Sequence, residues 1–544
     1  MAPLARGVWT HTPQDRLDNA CAKRRGLPAV GALHQANTAM NLASRIAVVR
    51  DYHQRTKHHL DRYAAGPGTL DWDAQPDPFR HWTDTQILAL PRDRPNPDVA
   101  WHALPGARPA APLDLASLST LLRLSVGLTA WKEYAGARWP LRANPSSGNL
   151  HPTETYVIAS GVEGLADGLY HYQSRSHTLE RRARVGAASA PGLWLGFSSV
   201  TWREAWKYGE RAFRYCQLDL GHALAGVSYA AALLGWRVAL PALDAPDLAR
   251  ALGLDREADF AGVEAEEAEV IVALETGAAP PSGWTDWAGR PSLLDPRPLY
   301  AWPVIDAVAA ATRGASPAAE TGPPPSEPLP STSTRPAADV ILQRRSAQAF
   351  DGRSVLPSAV FRRLLSCLLP GGAPAWELWP HAPRVHPVLL AHRVEGIAPG
   401  LYALPRSDAG QSALPEALRA ELGWDAADPE LPLFRLVQAA AVNTARTLSC
   451  HQDIASHAAF TLMFVAEFDT PIAENPAAYR HLHWEAGMLG HVITLEAEAA
   501  GWRGTGIGCF FDDADHEVLG FSDSRFQVLY HFAVGMPVDD PRLL

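Results

Sequence analysis

At 544 residues the chain exceeds what one hydrophobic core organises, so two domains of ordinary size, or one fold used twice, are expected. A content of 47% hydrophobic and 19% charged residues excludes wholesale disorder and a fibrous protein. Forty-eight basic side chains against 58 acidic ones leave a net charge of -10, which argues against nucleic acid or an anionic membrane as partner, because a phosphate-tracking surface leaves a basic excess.

In chain order, the opening "MAPLARGVWTHTPQDRLDNACAKRRG" has charges but no apolar core behind them, so it is not a secretory signal. Residues 1–39 are expected to form a loosely ordered arm. "MNLASRIAVVRDYHQRTKHHLDRYA", from Met40, has the amphipathic period of a helix and opens a first domain, residues 40–312. Within it, "LDLASLSTLLRLSVGL" predicts a helix and "RANPSSGNLHPTETYVI", Arg142 to Ile158, passes from a polar loop into a strand. "WREAWKYGERAFRYC" leads into a long apolar helix, and "AEVIVALE" reads as a buried strand.

Residues 313–337, "RGASPAAETGPPPSEPLPSTSTRPA", replace large apolar side chains with Pro, Ser and Thr and predict a semi-extended linker. A second domain, 338–544, follows with "LPSAVFRRLLSCLL" as helix, "HPVLLAHRV" as strand, another long helix and the strand "FQVLYHFAVG". Five scattered cysteines, Cys21, Cys216, Cys367, Cys450 and Cys509, fit reduced thiols in the cytoplasm better than a disulfide framework. No apolar run of about 18 residues predicts a membrane span.

The two domains echo each other. Gly221 and Gly235 stand fourteen residues apart, as do Gly487 and Gly501, and each second glycine opens a Gly-Trp-Arg. His151-Pro152 precedes a Gly-Leu-Tyr at Gly168, and His386-Pro387 precedes one at Gly400. The pattern predicts one α+β fold duplicated and fused, burying between its halves the surface a homodimer would bury.

Four segments hold groups suited to a ligand. Arg142, Ser146, Ser147, Gly148 and Asn149 offer a cation, hydroxyls, an amide and open backbone to a flat heterocycle, or form a polar turn before a strand. Arg344, Arg345 and Ser346 form an anion receptor of guanidinium forks and a hydroxyl, or a solvated basic helix end. "GWRGTGIGCFF" alternates Gly504, Gly506 and Gly508 in what reads as a loop, without the spacing of a dinucleotide fingerprint. Lys207 and Tyr208 are an amine and a phenol able to work as acid and base where burial lowers the lysine pKa. Asp453 with His457, and His481 with Glu485, are spaced for one helical face but lack a third ligand, so no metal is assigned.

"PSSGNLHPTETY", "KYGERAFRYCQLDLGHA", "RRSAQAF" and "GTGIG", in that order, resemble the nitroreductase superfamily and specifically its SagB-like branch, which includes the azoline dehydrogenases of thiazole- and oxazole-forming peptide pathways. The resemblance covers most of Asp114 to Gly277 and Asp339 to Leu544. It implies an FMN oxidoreductase in which the Arg-Ser segment and the glycine run come from one subunit and the Pro-Ser loop from the other. Here the former lie in the second domain and the latter in the first, which predicts a pseudo-dimer within one chain and one well-formed flavin site bridging its halves. The reciprocal set is weak: Arg55, Thr56 and Lys57 replace Arg-Arg-Ser, "GWRVALPAL" replaces the glycine run, and "HAPRVHPV" replaces the Pro-Ser loop.

On the family pattern, Arg344, Arg345, Ser346 and Arg542 would hold the phosphate. Gln348, where the family carries a second arginine, would weaken that grip. Ser146, Ser147, Gly148 and Asn149 would hold the ring edge or ribityl chain, and backbone at Gly504, Gly506 or Ile507 would face the reactive nitrogen. Arg142 would favour negative charge on the reduced ring. Lys207 matches the base of azoline dehydrogenases, with Tyr208 positioning or relaying. The implied reaction passes hydride from a substrate carbon, in a peptide or small molecule, to flavin. An NAD(P)H-dependent nitro or quinone reductase, and a flavin-fold scaffold without catalysis, are the rival readings; a higher oligomer is left open.

Overall fold

The computed structural model describes residues 40–186, 190–276, 278–314, 326–379 and 381–544. The expected arm, residues 1–39, and residues 315–325 of the expected linker lie outside them.

Helix α1, Leu42–Arg55, starts where the Asn41 side chain accepts the Ser44 N–H at 2.9 Å, an N-cap. It ends nine residues before the sequence pattern does. Lys57 turns away to pair with Asp513 at 2.8 Å, and Asp512 takes the His58 N–H at 2.9 Å, so the second domain holds this segment out of the helix. Helix α2, Leu115–Ser125, is capped by Asp114 and leads into a hairpin of β1, Leu128–Tyr134, and β2, Ala137–Arg142.

The first main sheet contains β3, Thr153–Ser160, β4, Gly168–Gln173, β5, Thr178–Val185, and β6, Gly192–Ser199. Helix α3, Thr201–Tyr208, and the long helix α4, Ala212–Leu234, follow, and β7, Val238–Ala239, and β8, Glu267–Leu274, complete it. Its antiparallel order is β5-β4-β3-β6-β8-β7, extended beyond β5 by Trp284–Thr285.

After the linker come α5, Ala337–Gln343, α6, Ser358–Leu368, β9, Val385–Ala391, β10, Gly400–Ala403, β11, Phe434–Gln438, and β12, Phe460–Glu467. The long helix α7, Ala478–Ala499, precedes β13, Arg503–Ile507, and β14, Phe526–Gly535. The second sheet runs β11-β10-β9-β12-β14-β13, the order of the first strand for strand. Even the irregularities correspond: β6–β8 and β12–β14 each shift register once. The mixed helix-and-sheet architecture expected from the sequence is present in both halves.

Helices α4 and α7 pack on each other between the sheets and are buried nearly all round, which is why neither carries a polar stripe. Their backbones meet at the two repeated glycines. A Cβ on Gly221 would stand 2.2 Å from the Trp484 carbonyl oxygen and 2.9 Å from the Gly487 Cα, and a Cβ on Gly487 would stand 2.2 Å from the Leu218 carbonyl oxygen. The spacing in the sequence therefore marks a helix crossing too close for any side chain.

The described end of the linker is extended but pinned: Ser326 donates its N–H to Pro370 at 2.8 Å, and Leu329 donates to the Ser366 hydroxyl at 3.0 Å. Among the described residues, no helix is long and apolar enough to cross a membrane.

Candidate functional site

The Pro-Ser loop lies between β2 and β3 and is bent by left-handed backbone. Gly148, Asn149 and His151 have φ of 61°, 57° and 52°. Two of these are not glycine, a strain that neighbouring contacts must hold in place. Asp219, on α4, does so. Its carboxylate accepts the Ser147 N–H at 3.0 Å and the Ser147 hydroxyl at 2.9 Å, while Ser146 Oγ accepts the His151 N–H at 2.9 Å.

The loop is thereby pressed onto the end of α3. A Cβ on Gly148 would lie 2.5 Å from the Tyr208 hydroxyl and 3.1 Å from Lys207 Nζ, so the Gly-Asn turn and the Lys-Tyr pair form one site. Tyr208 packs edge-on against Tyr215 at 4.7 Å between centroids, and the Tyr215 hydroxyl donates to the Gly508 carbonyl at 3.1 Å across the domain boundary. Thus α3, α4 and the segment after β13 line a single wall.

Burial sets the charges here. It lowers the Lys207 amine below its ordinary value, opposed by Glu204 one helical turn earlier. It also raises the Tyr208 phenol, helped by Glu204 and Tyr215. Asp219 is pushed up to about 7 by burial against the pull of the two loop serines. Glu204, fully buried with neither carboxylate oxygen hydrogen-bonded, is raised well above the carboxylate range by burial and then by Asp219. Glu204 and Asp219 were not singled out from the sequence. Their signal is a carboxylate on an otherwise apolar helical face, which no local pattern separates from a surface acid.

The second domain brings a cation to the same loop. Arg344 is buried, donates Nε to the Ala143 carbonyl at 3.1 Å and Nη2 to the Arg142 carbonyl at 3.0 Å, and has the Ser346 hydroxyl 3.5 Å from Nη1. Among the described residues no carboxylate pairs with it. Burial and the neighbouring Arg345 hold it at about 9, below the ordinary guanidinium value and against the pull of Glu498, so an anion arriving here meets a buried cation with no carboxylate hydrogen-bonded to it among the described residues. Arg345 itself donates to the carbonyls of Leu342 at 2.9 Å and Arg344 at 2.6 Å.

Three placements differ from the sequence expectation. The Gly-Thr-Gly-Ile-Gly run is not a loop: residues 503–507 form β13, the edge strand paired to β14, and the Gly504 carbonyl accepts the Ala347 N–H at 3.1 Å. Its glycines admit bulky neighbours, since a Cβ on Gly506 would fall 1.7 Å from the Tyr530 hydroxyl, and that phenol reaches His222 Nε2 at 3.2 Å. Ile507 faces the core as a buried residue of that strand.

Arg142 is the second: its guanidinium donates to the carbonyls of Thr153 at 3.1 Å and Pro78 at 2.7 Å beneath the sheet, and only its carbonyl meets Arg344. Third, Arg542 and Gln348 pair with each other at 2.9 Å near the hairpin, and Arg542 is also held by Asp540 at 2.7 Å.

The histidine-rich pairs go to other partners. Asp453 accepts from Arg446 at 2.6 Å, Glu485 is ion-paired to Arg406, and His481 packs against Trp484. Among the described residues no group of three potential ligands is placed to hold a metal ion.

Residues 341–536 match the model of the Nitroreductase family. A nitroreductase-like protein of Methanocaldococcus jannaschii is 26% identical over 139 residues, 23% of this chain and 67% of that protein. The trifolitoxin-processing protein TfxB of Rhizobium leguminosarum bv. trifolii is 31% identical over 121 residues, 19% of this chain but only 32% of its relative. The crystal structure of a nitroreductase-like protein from Anabaena variabilis superposes with a TM-score of 0.68 at 24% identity, covering 90% of this chain and 99% of that one. The fold is therefore shared over both halves.

Proposed function

We propose that the chain is an FMN-dependent oxidoreductase of the SagB type, a fused tandem pair whose halves act as an intramolecular pseudo-dimer around one flavin site. The observation that carries this reading is Arg344, a buried second-domain cation without a carboxylate partner among the described residues, forked onto the Arg142 and Ala143 carbonyls at the mouth of the first-domain Pro-Ser loop. The repeated strand order supports the duplication, as does a carboxylate two residues before each crossing glycine. Asp219 takes the Ser147 N–H, and Glu485 takes the Arg384 N–H at 3.2 Å, each ahead of the first strand of its own sheet.

The donor set fits the cofactor. Arg344, Arg345 and Ser346, with Arg542 and Gln348 beside them, would hold a phosphate. Ser146, Ser147, Gly148 and Asn149 would hold the ring edge, with the backbone around Gly504, Gly506 and Ile507 beneath it. When bound, FMN supplies a two-electron acceptor for hydride leaving a substrate carbon.

Lys207, neutralised more readily because it is buried, takes the proton lost from the substrate in the same oxidation. Tyr208, kept as a phenol by burial, orients that exchange by hydrogen bonding. Asp219 fixes the loop that closes over both. The overall change is azoline-to-azole-like: one hydride and one proton leave, and a carbon–nitrogen ring gains a double bond. Likeness to a trifolitoxin-processing protein supports a peptide substrate, and the scattered thiols support a cytoplasmic setting.

The test combines flavin content with bleaching. Purified protein should release one FMN per chain, and an azoline peptide should bleach it anaerobically in wild type but not in Lys207→Ala, which keeps its flavin. Two flavins per chain, or equal bleaching of both proteins by NADPH with none by any azoline, would refute the reading.

A further inference from the structure

Residues 65–77 of the first domain are tied to both ends of the helix that carries the Lys-Tyr pair. The Ala65 carbonyl accepts the Glu210 N–H at 2.9 Å, just past the end of α3, and a Cβ on Gly209 would stand 2.3 Å from that same oxygen. The Asp77 carbonyl accepts Arg203 Nε at 2.9 Å, in the first turn of α3. The chain between these two ties therefore runs back along the helix.

Trp72 stands on that span. Asp71 accepts the Asp73 N–H at 3.2 Å and opens a single helical turn, Trp72–Ala74, while the Tyr300 hydroxyl accepts the Thr69 N–H at 3.5 Å just ahead of it. The Trp72 ring rests with its centre 5.8 Å from Lys207 Nζ and meets the Trp206 ring edge-on at 5.5 Å. An edge contact covers only one margin of an indole, and 61% of Trp72 remains exposed. A large aromatic ring left this open, on a segment anchored at both ends, contributes little to the core.

Lys207 Nζ also lies 5.2 Å from the centre of the Tyr208 ring. That ring is already covered, by Tyr215 edge-on and by the turn at Gly148. Lys207 is itself half-buried, so the aromatic surface beside its amine that a newcomer finds open is that of Trp72. Behind the turn, Leu70, Trp206, Leu299 and Tyr300 border one small recess, and Leu299 is 63% exposed, so apolar surface continues past the ring. A flat ring carried in a peptide, with an apolar neighbour in the sequence, fits such a surface.

We propose that Trp72 is the substrate-stacking residue of the Lys207 site: its exposed face receives the planar five-membered heterocycle of a peptide and holds the carbon that loses its proton toward the amine. The inference rests on the dehydrogenase reading and adds to it the surface that selects a cyclised residue over its open-chain precursor.

The test measures binding apart from turnover. The full chain loaded with FMN is titrated calorimetrically with a thiazole-containing tripeptide, the oxidised form, and with the uncyclised cysteine tripeptide of the same sequence. In wild type the thiazole should bind about tenfold more tightly than the open-chain peptide. Trp72→Ala should remove that preference, and Trp72→Phe, which keeps a ring, should retain most of it. Both variants should keep their flavin and their fold, because Trp72 is exposed. In anaerobic bleaching, Trp72→Ala should need about tenfold more of the matching thiazoline peptide for half-saturation. Equal thiazole affinity in wild type and Trp72→Ala, no preference for the thiazole in wild type, or loss of FMN from Trp72→Ala would overturn the proposal. Thiazole binding that depends on Trp72 in a protein no thiazoline bleaches would uphold the stacking surface and refute the dehydrogenase reading instead.

Discussion

Replacing Asp219 by Asn tests the electrostatics of the Pro-Ser loop directly. The Asp219 carboxyl is raised to about 7 from an ordinary value near 3.8, chiefly by burial. The folded state therefore binds this proton more tightly than the unfolded chain, and the associated stability is complete below the ordinary value and lost as pH rises through 7. At 1.36 kcal/mol per pH unit the loss is roughly 4 kcal/mol in total, about 3 kcal/mol of it between pH 5 and pH 7.

The amide introduced by Asp219→Asn has no charge to bury. It can still accept from Ser147 through one oxygen but loses the second, a cost of about 1 kcal/mol. The variant should thus be about as stable as wild type at pH 5 and more stable at pH 8. Thermal midpoints measured side by side across this range isolate the effect, because every other titrating group cancels in the difference. That difference should change by roughly 6–12 °C for a cooperative unit of 150–250 residues. A difference that stays constant with pH would refute a buried, proton-holding Asp219.

Gly506→Ala should destabilise by roughly 1–3 kcal/mol, since its methyl would overlap the Tyr530 hydroxyl, and Tyr530→Phe in the same chain should recover part of the loss in denaturant melts. No recovery would place the constraint elsewhere on β13. Glu204→Gln should match wild type in thermal stability near pH 4, where the carboxyl is protonated in the folded and largely in the unfolded chain, and should exceed it increasingly as pH rises above the ordinary carboxylate value. A loss at pH 6 would mean that Glu204 is charged and paired.

The site was legible in the sequence only in part. Lys207 and Tyr208 meet Gly148, and Arg344 reaches the carbonyls of Arg142 and Ala143 at the start of the same loop, because each motif sits at an element end whose position the fold dictates. Arg142 was expected to face the reduced ring, whereas the carbonyls at the start of β3 and at Pro78 take its guanidinium. The glycine run was misread in form, since alternating glycines serve a turn and an edge strand packed under aromatic rings equally well.

What the sequence determined by itself is whatever depends on spacing along the chain. The repeated Gly-to-Gly-Trp-Arg interval, the long apolar helices and the strand patterns follow from periodic burial, and periodicity survives in a linear string. What only the tertiary structure decided is which distant groups share a dry environment. Glu204 and Asp219 acquire their protons, Lys207 its lowered pKa and Arg344 its unpaired charge from neighbours tens to hundreds of residues away. Desolvation belongs to the assembled volume rather than to any residue type.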